Sequence, residues 1–143
     1  TVHKERNLLA HAPKHQHEEV KADFKDMVHA KTKAAVLAKR IAFLAKWKIR
    51  CRSVADSLEE AGERLFTFLR YPPEQWRSVR TTNAIERLYE EFKRRIKTQC
   101  VLPCAETAAM LFWALLASGQ ITLRKIDGWQ SLAQPPAELD LAA

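Results

Sequence analysis

A helical repeat runs through almost the whole chain and limits the possible folds more than any other feature. Val36, Leu37, Ile41, Leu44 and Trp47 recur at helical spacing between Thr32 and Arg50. That period marks one face of an amphipathic helix. Val20, Phe24, Met27 and Val28 repeat it within Glu18 to Ala30, and Val54, Leu58, Leu65 and Leu69 within Ser53 to Arg70. Further helices are expected over Val2 to Ala10, Asn83 to about Lys97, and Glu106 to Ser118. A break is expected at Gly62. "YPPEQW", from Tyr71, ends a helix because two prolines cannot continue one. The chain has only three glycines, which argues against a turn-rich β architecture. At most one strand is expected, Gln120 to Ile126. The predicted fold class is mainly α.

With 143 residues, 47% of them hydrophobic and 29% charged, the chain is long and apolar enough for one domain with a core. Its formal net charge of +7 favours an anionic partner, most often nucleic acid. Cys51, Cys100 and Cys104 make an odd set with no secretory signal before them, so free thiols in a reducing compartment are expected. The most apolar run, "AAMLFWALLASG" from Ala108 to Gly119, is too short to span a bilayer and reads as a buried helix. No membrane partner is expected. Thr1 stands where a start would carry Met, and the helical pattern begins at once, so a piece of a longer chain is expected. Residues 1–133 form the folded part in this reading, and 134–143 a flexible tail.

The stretch with most chemistry is "RTTNAIERLYEEFKRR", Arg80 to Arg95. Ile85, Leu88, Tyr89, Phe92 and Ile96 share one stripe, which predicts a core-facing side. Glu86 lies on the flank of that stripe, with Lys93 two turns later on the same flank. Arg87 and Arg94 mark the opposite, solvent face. Asn83 is the natural N-cap, with Thr81 and Thr82 as alternatives. On spacing alone Glu86 has a structural explanation, since it stands three residues after Asn83, the reciprocal position of a capping box. Glu90 with Arg94, and Glu91 with Arg95, are expected surface ion pairs.

A second feature is a basic run. No acid lies between Asp26 and Asp56, while Lys39, Lys46 and Arg50 gather on one helical face. Phosphate binding needs fixed positive charge of this kind. A solvated helix face explains the run equally well. Trp47 is read as core. His11, His15 and His17 lie close together, but no cysteines or paired carboxylates complete a zinc pattern.

"RTTNAIERLYEEFKRRIK" resembles the signature of the Mutator-type transposases of bacterial insertion sequences, in which Thr-Thr-Asn-x-x-Glu-Arg opens a helix ending in clustered bases. "HKERNLLAHAP", "VADSLEEAGERLFTFLRYPPEQW" and "LPCAETAAMLFWALLASGQI" resemble the C-terminal half of the same family. The resemblance implies an RNase H-like DD(E) core, of which this chain is the helical C-terminal part, incomplete without upstream strands. It implies that Glu86 is the catalytic, metal-binding glutamate, that the two aspartates lie upstream of residue 1, and that the complete enzyme uses Mg²⁺. Thr81, Thr82 and Asn83 match the motif. Lys93 matches an expected base two turns after the glutamate, and His3 the histidine of a Cys-x-x-His mark. Tyr89 departs from the pattern, where asparagine is common.

The implied activity is metal-dependent DNA cleavage and strand transfer for transposition, with this chain inactive alone. Lys93, Arg77, Arg80, Arg87, Arg94, Arg95, Lys39, Lys46 and Arg50 are the candidate DNA-binding residues. The implied partners are the element ends, target DNA and further copies of the enzyme, at the bacterial nucleoid in the cytoplasm. Two other classes fit the residues: a non-catalytic basic helical DNA-binding protein, and a helical module that associates with full-length transposase.

Overall fold

The structure, a computed structural model, describes residues 1–97, 104–123 and 125–138. Its helices are α1 (Val2–Ala10), α2 (His17–Val28), α3 (Lys33–Arg50), α4 (Arg52–Ala61), α5 (Trp76–Val79), α6 (Asn83–Arg95) and α7 (Ala105–Ala117). A stretch of 3-10 helix, Gly62–Arg70, follows α4. No strand occurs among the described residues, so the strand expected over Gln120 to Ile126 is not formed at its described positions. A strand needs a partner edge, and none is present among the described residues. Instead the Ile121 N–H donates to the Leu115 carbonyl at 3.0 Å, which closes the end of α7.

The local sequence explains where the helices start and stop. The Thr32 hydroxyl accepts from the Ala35 N–H at 3.1 Å and caps α3. Gly62, at φ 51°, ends α4 in a conformation that costs a side-chain-bearing residue dearly. Beyond the prolines, the Trp76 indole donates to the Tyr71 carbonyl at 2.8 Å and meets Phe68 edge-on.

Helices α1 to α4 pack together, α3 against both α2 and α4, and α1 against α2 and α4. Leu8, Phe24, Met27, Trp47, Leu58 and Phe66 fill the core between them. The buried face of α3 consists of Val36, Phe43, Leu44 and Trp47, while Ile41 is 63% exposed. The stripe is thus rotated from the one expected around Leu37 and Ile41. At about 100° per residue, Ile41 stands roughly 140° from Val36, outside the arc that α2 and α4 cover.

A second, smaller cluster joins α6 to α7. Phe92, Leu115 and Ile121 are buried, with Leu88, Ile96 and Phe112 packed against them. Phe92 and Phe112 meet edge-to-face at 5.0 Å. The expectation that the whole α6 stripe is buried fails at its first turns. Ile85 is 70% exposed and Tyr89 56% exposed. The cluster covers Leu88, Phe92 and Ile96, and these two side chains project beyond it. Nor is α7 buried all round. Met110 and Trp113 are exposed, because only one side of the helix faces α6.

The C-terminal segment returns to the body of the chain. Gln75 Nε2 donates to the Gly128 carbonyl at 2.8 Å. Arg70 Nε donates to the Ala137 carbonyl, and the Ala137 N–H to the Arg70 carbonyl, both at 2.8 Å. Within the expected tail, Ala137 is therefore held by Arg70, and 139–143 lie outside the described residues.

Candidate functional site

Helix α6 begins one residue away from the expected cap. Thr82 is the N-cap and Asn83 the first helical residue, and no side chain caps a backbone N–H there. Glu86 therefore lies four residues after the cap, and the capping box expected between Asn83 and Glu86 is absent. Instead the Thr82 hydroxyl donates to Glu86 Oε1 at 2.7 Å, while the Glu86 N–H donates to the Thr82 carbonyl at 2.9 Å. Glu86 is exposed, and its carboxylate is oriented by the hydroxyl rather than by the backbone.

Lys93 is exposed, with its ammonium 4.5 Å from the centroid of the Tyr89 ring. Tyr89, the departure from the family pattern, thus stacks under the expected base. The ion pairs of α6 converge on one acid. Arg95 and Arg94 both reach Glu91 Oε2, each at 2.6 Å. The pairing expected between Glu90 and Arg94 is replaced, because Arg94 turns to the residue three back. Hydrogen bonding from Arg95, then the nearby Arg94 charge, holds the Glu91 carboxyl below its ordinary pKa. Arg95 also donates to the Gln120 carbonyl.

Arg80 is tied into the body. Its guanidinium donates to the Val28 carbonyl at 2.9 Å and lies 3.3 Å from His29 Nδ1. Its own carbonyl accepts from the Thr1 ammonium and hydroxyl. It fastens the ends of α1 and α2 to the entrance of α6.

The basic face of α3 is also engaged. Lys39 pairs with Asp26 at 2.5 Å, Lys46 with Asp23 at 2.6 Å and Glu19 at 2.8 Å, and Arg50 with Glu19. Glu19, Asp23 and Asp26 recur at helical spacing along α2 and meet Arg50, Lys46 and Lys39 in reverse order along α3. That correspondence was available in the sequence and reads as a helix-pairing register. His3 is exposed on α1. Cys51 and Cys104 are free thiols, and Cys100 lies outside the described residues.

A groove of about 620 Å³ runs beside α6, lined by Arg77, Thr81, Arg87, Arg95, Thr122 and Lys125 among others. Glu86 is not among its lining residues. Ala84, Leu88 and Glu91 face the groove, and Glu86 stands roughly 200° round the helix from Ala84. Thr122 and Lys125 drew no attention in the sequence, where their segment resembled a strand. Among the described residues no three His, Cys, Asp or Glu side chains gather into a metal-ligand group. No helix described is long and apolar enough to cross a membrane.

Residues 1–123 match the family of transposases described as the Mutator family. The chain belongs to that family. It is 31% identical over 105 residues to the transposase for insertion sequence element IS905 of Lactococcus lactis, covering 73% of this chain and 27% of the relative. It is 30% identical over 114 residues to the transposase for element ISRM5 of Rhizobium meliloti, covering 80% and 29% respectively. A transposase for element IS6120 of Mycolicibacterium smegmatis is 34% identical over 99 residues, 29% of its length. The chain thus spans less than a third of each of these Mutator relatives. No solved structure matches it.

Proposed function

We propose that this chain is the part of an insertion-element transposase that carries the glutamate of a three-carboxylate site, with Glu86 in that role. One observation carries the reading. Inside the family motif, Thr82 holds Glu86 in place at the helix entrance, yet leaves the carboxylate exposed and its second oxygen without a hydrogen-bond donor among the described residues. A capping glutamate would spend its oxygens on the backbone.

Mg²⁺ prefers hard oxygen ligands, and Glu86 offers one such arm. One arm does not hold a divalent metal site, so the other carboxylates would come from outside this chain. Bound Mg²⁺ supplies activation of a nucleophilic oxygen and neutralisation of a leaving oxygen in phosphoryl transfer. The chain's own contribution is to present Glu86 and to hold phosphates nearby. Lys93, on the same flank of α6, is the base we assign to that task. Lys39, Lys46, Arg50 and Arg80 serve helix packing, and Arg94 and Arg95 are shared with Glu91.

In the complete enzyme the helices described here would complete an RNase H-like core, working as a homo-oligomer on DNA at the nucleoid. The isolated chain would not cut DNA. The exposed Ile85, Tyr89, Met110 and Trp113 favour a second role, association with full-length transposase.

The deciding experiment places Glu86→Gln in a complete transposase containing this region. The variant is expected to fold and bind DNA but to lose transposition by orders of magnitude, while Glu90→Gln stays near wild type. Wild-type transposition by Glu86→Gln would remove Glu86 from the site.

A further inference from the structure

We propose that the groove between α6 and the described residues 121–123 and 125–127 binds the backbone of a second DNA segment, on the side of α6 facing away from Glu86. The choice of DNA rests on the transposase reading; the groove's affinity for an anion does not. Strand transfer joins two DNA molecules, so a protein that performs it must hold both at once. The face with Glu86 and Lys93 can serve the reacting phosphate. The groove is a separate surface about half a helical turn away.

Its lining suits phosphodiester oxygens. Among the described residues, four cations, Arg77, Arg87, Arg95 and Lys125, stand against two acids, Glu91 and Asp127. Glu91 is already taken by Arg94 and Arg95. Arg77, Arg87 and Lys125 are exposed and enter no ion pair among the described residues. Hydroxyls of Ser78, Thr81 and Thr122 line the same space. Arginine, lysine and hydroxyl donors are the usual partners of DNA phosphates, and they bind without reading sequence. The Lys125 ammonium lies 4.1 Å from the centroid of the Trp129 ring, which limits the freedom it would lose on binding. The contrast with α3 is direct, because every base of its basic face is already matched to an acid of α2.

The test uses the purified chain and a short labelled DNA duplex, titrated at several salt concentrations. Replacing Arg77, Arg87 and Lys125 together by Gln is expected to reduce the slope of log affinity against log salt by about 2–3. Arg87→Lys should keep the wild-type slope. Unchanged slope and affinity in the triple variant, with its helical circular dichroism intact, would overturn the proposal. So would an absence of DNA binding by the wild-type chain. Polyglutamate displacing DNA at equal charge concentration would assign the groove to an acidic protein instead. The result is independent of Glu86. Loss of groove binding together with normal transposition by Glu86→Gln would sink the catalytic reading alone, and the reverse pattern would sink only the groove.

Discussion

Asp23 on α2 and Lys46 on α3 stand 2.6 Å apart, and the carboxylate oxygen that meets Lys46 also accepts from the buried Trp47 indole at 3.0 Å. One acid therefore holds a surface base and a core aromatic together. The two roles differ in energy. An exposed ion pair contributes at most about 1 kcal/mol. A buried donor left without an acceptor costs about 1–3 kcal/mol. Asp23→Ala should thus destabilise the chain by about 1–3 kcal/mol, and Glu19→Ala by clearly less, since it breaks only exposed ion pairs. Urea denaturation of both variants checks the order, and equal losses would show that Trp47 does not depend on Asp23.

Acid sensitivity follows from the paired carboxylates of α2 and α6. Hydrogen bonds from Lys46 and then Arg50 lower the Glu19 pKa, and the bond from Arg95 leads in lowering that of Glu91. A carboxyl with a depressed folded pKa adds stability that is present above its unfolded pKa. That stability disappears as pH falls through the folded value. Stability should therefore decline below the ordinary carboxylate range, near pH 4. The double variant Glu19→Gln, Glu91→Gln should show a shallower decline than wild type. Denaturation midpoints measured across that acid range provide the comparison, and parallel curves would remove these two groups as the cause.

Gly128 is the tightest point of the C-terminal return. Its φ is 67°, and a Cβ there would lie 2.5 Å from Glu74 Cγ and 2.8 Å from Gln75 Cγ. Gly128→Ala would combine an unfavourable backbone with a steric clash, costing about 1–3 kcal/mol. Gly119→Ala shares the positive φ but meets nothing within 4 Å, so its cost should be near 1 kcal/mol. Thermal melts of the two variants separate clash from conformation.

Helix positions were legible because their signals are local. The 3.6-residue period, the cap at Thr32 and the prolines at 72 and 73 act within a few residues. The rotation of α3 was not legible, since Ile41 and Phe43 are both apolar and only the neighbouring helices decide which is covered. The use of Lys39, Lys46 and Arg50 shows only when two helices are read together. Their partners lie on another helix, and a count of acids along one segment cannot find them. Thr82 and Asn83 are both good cap residues in adjacent positions, so composition could not choose between them. The choice matters, because it turns Glu86 from a capping residue into one held by a hydroxyl. The groove stayed invisible because Thr122 and Lys125 reach it only through the return of the chain past α7.

The Thr82 hydroxyl gives the last prediction its shape. If Glu86 acts as a ligand, the group that orients it contributes to activity without touching the reacting atoms. Loss of an orienting partner behind a metal ligand commonly costs about 10–100-fold in affinity or activity. In a complete transposase, Thr82→Val should therefore lower transposition about 10–100-fold. Thr82→Ser keeps the donor and should remain near wild type. Glu86→Gln, which removes the anionic oxygen itself, should fall well below both. Stability separates this from a capping role. With no side-chain cap at the start of α6, Thr82→Val should change the denaturation midpoint little. A large loss of stability in Thr82→Val, with transposition falling only in proportion to folded protein, would return Thr82 to a structural role and leave Glu86 without its positioning partner.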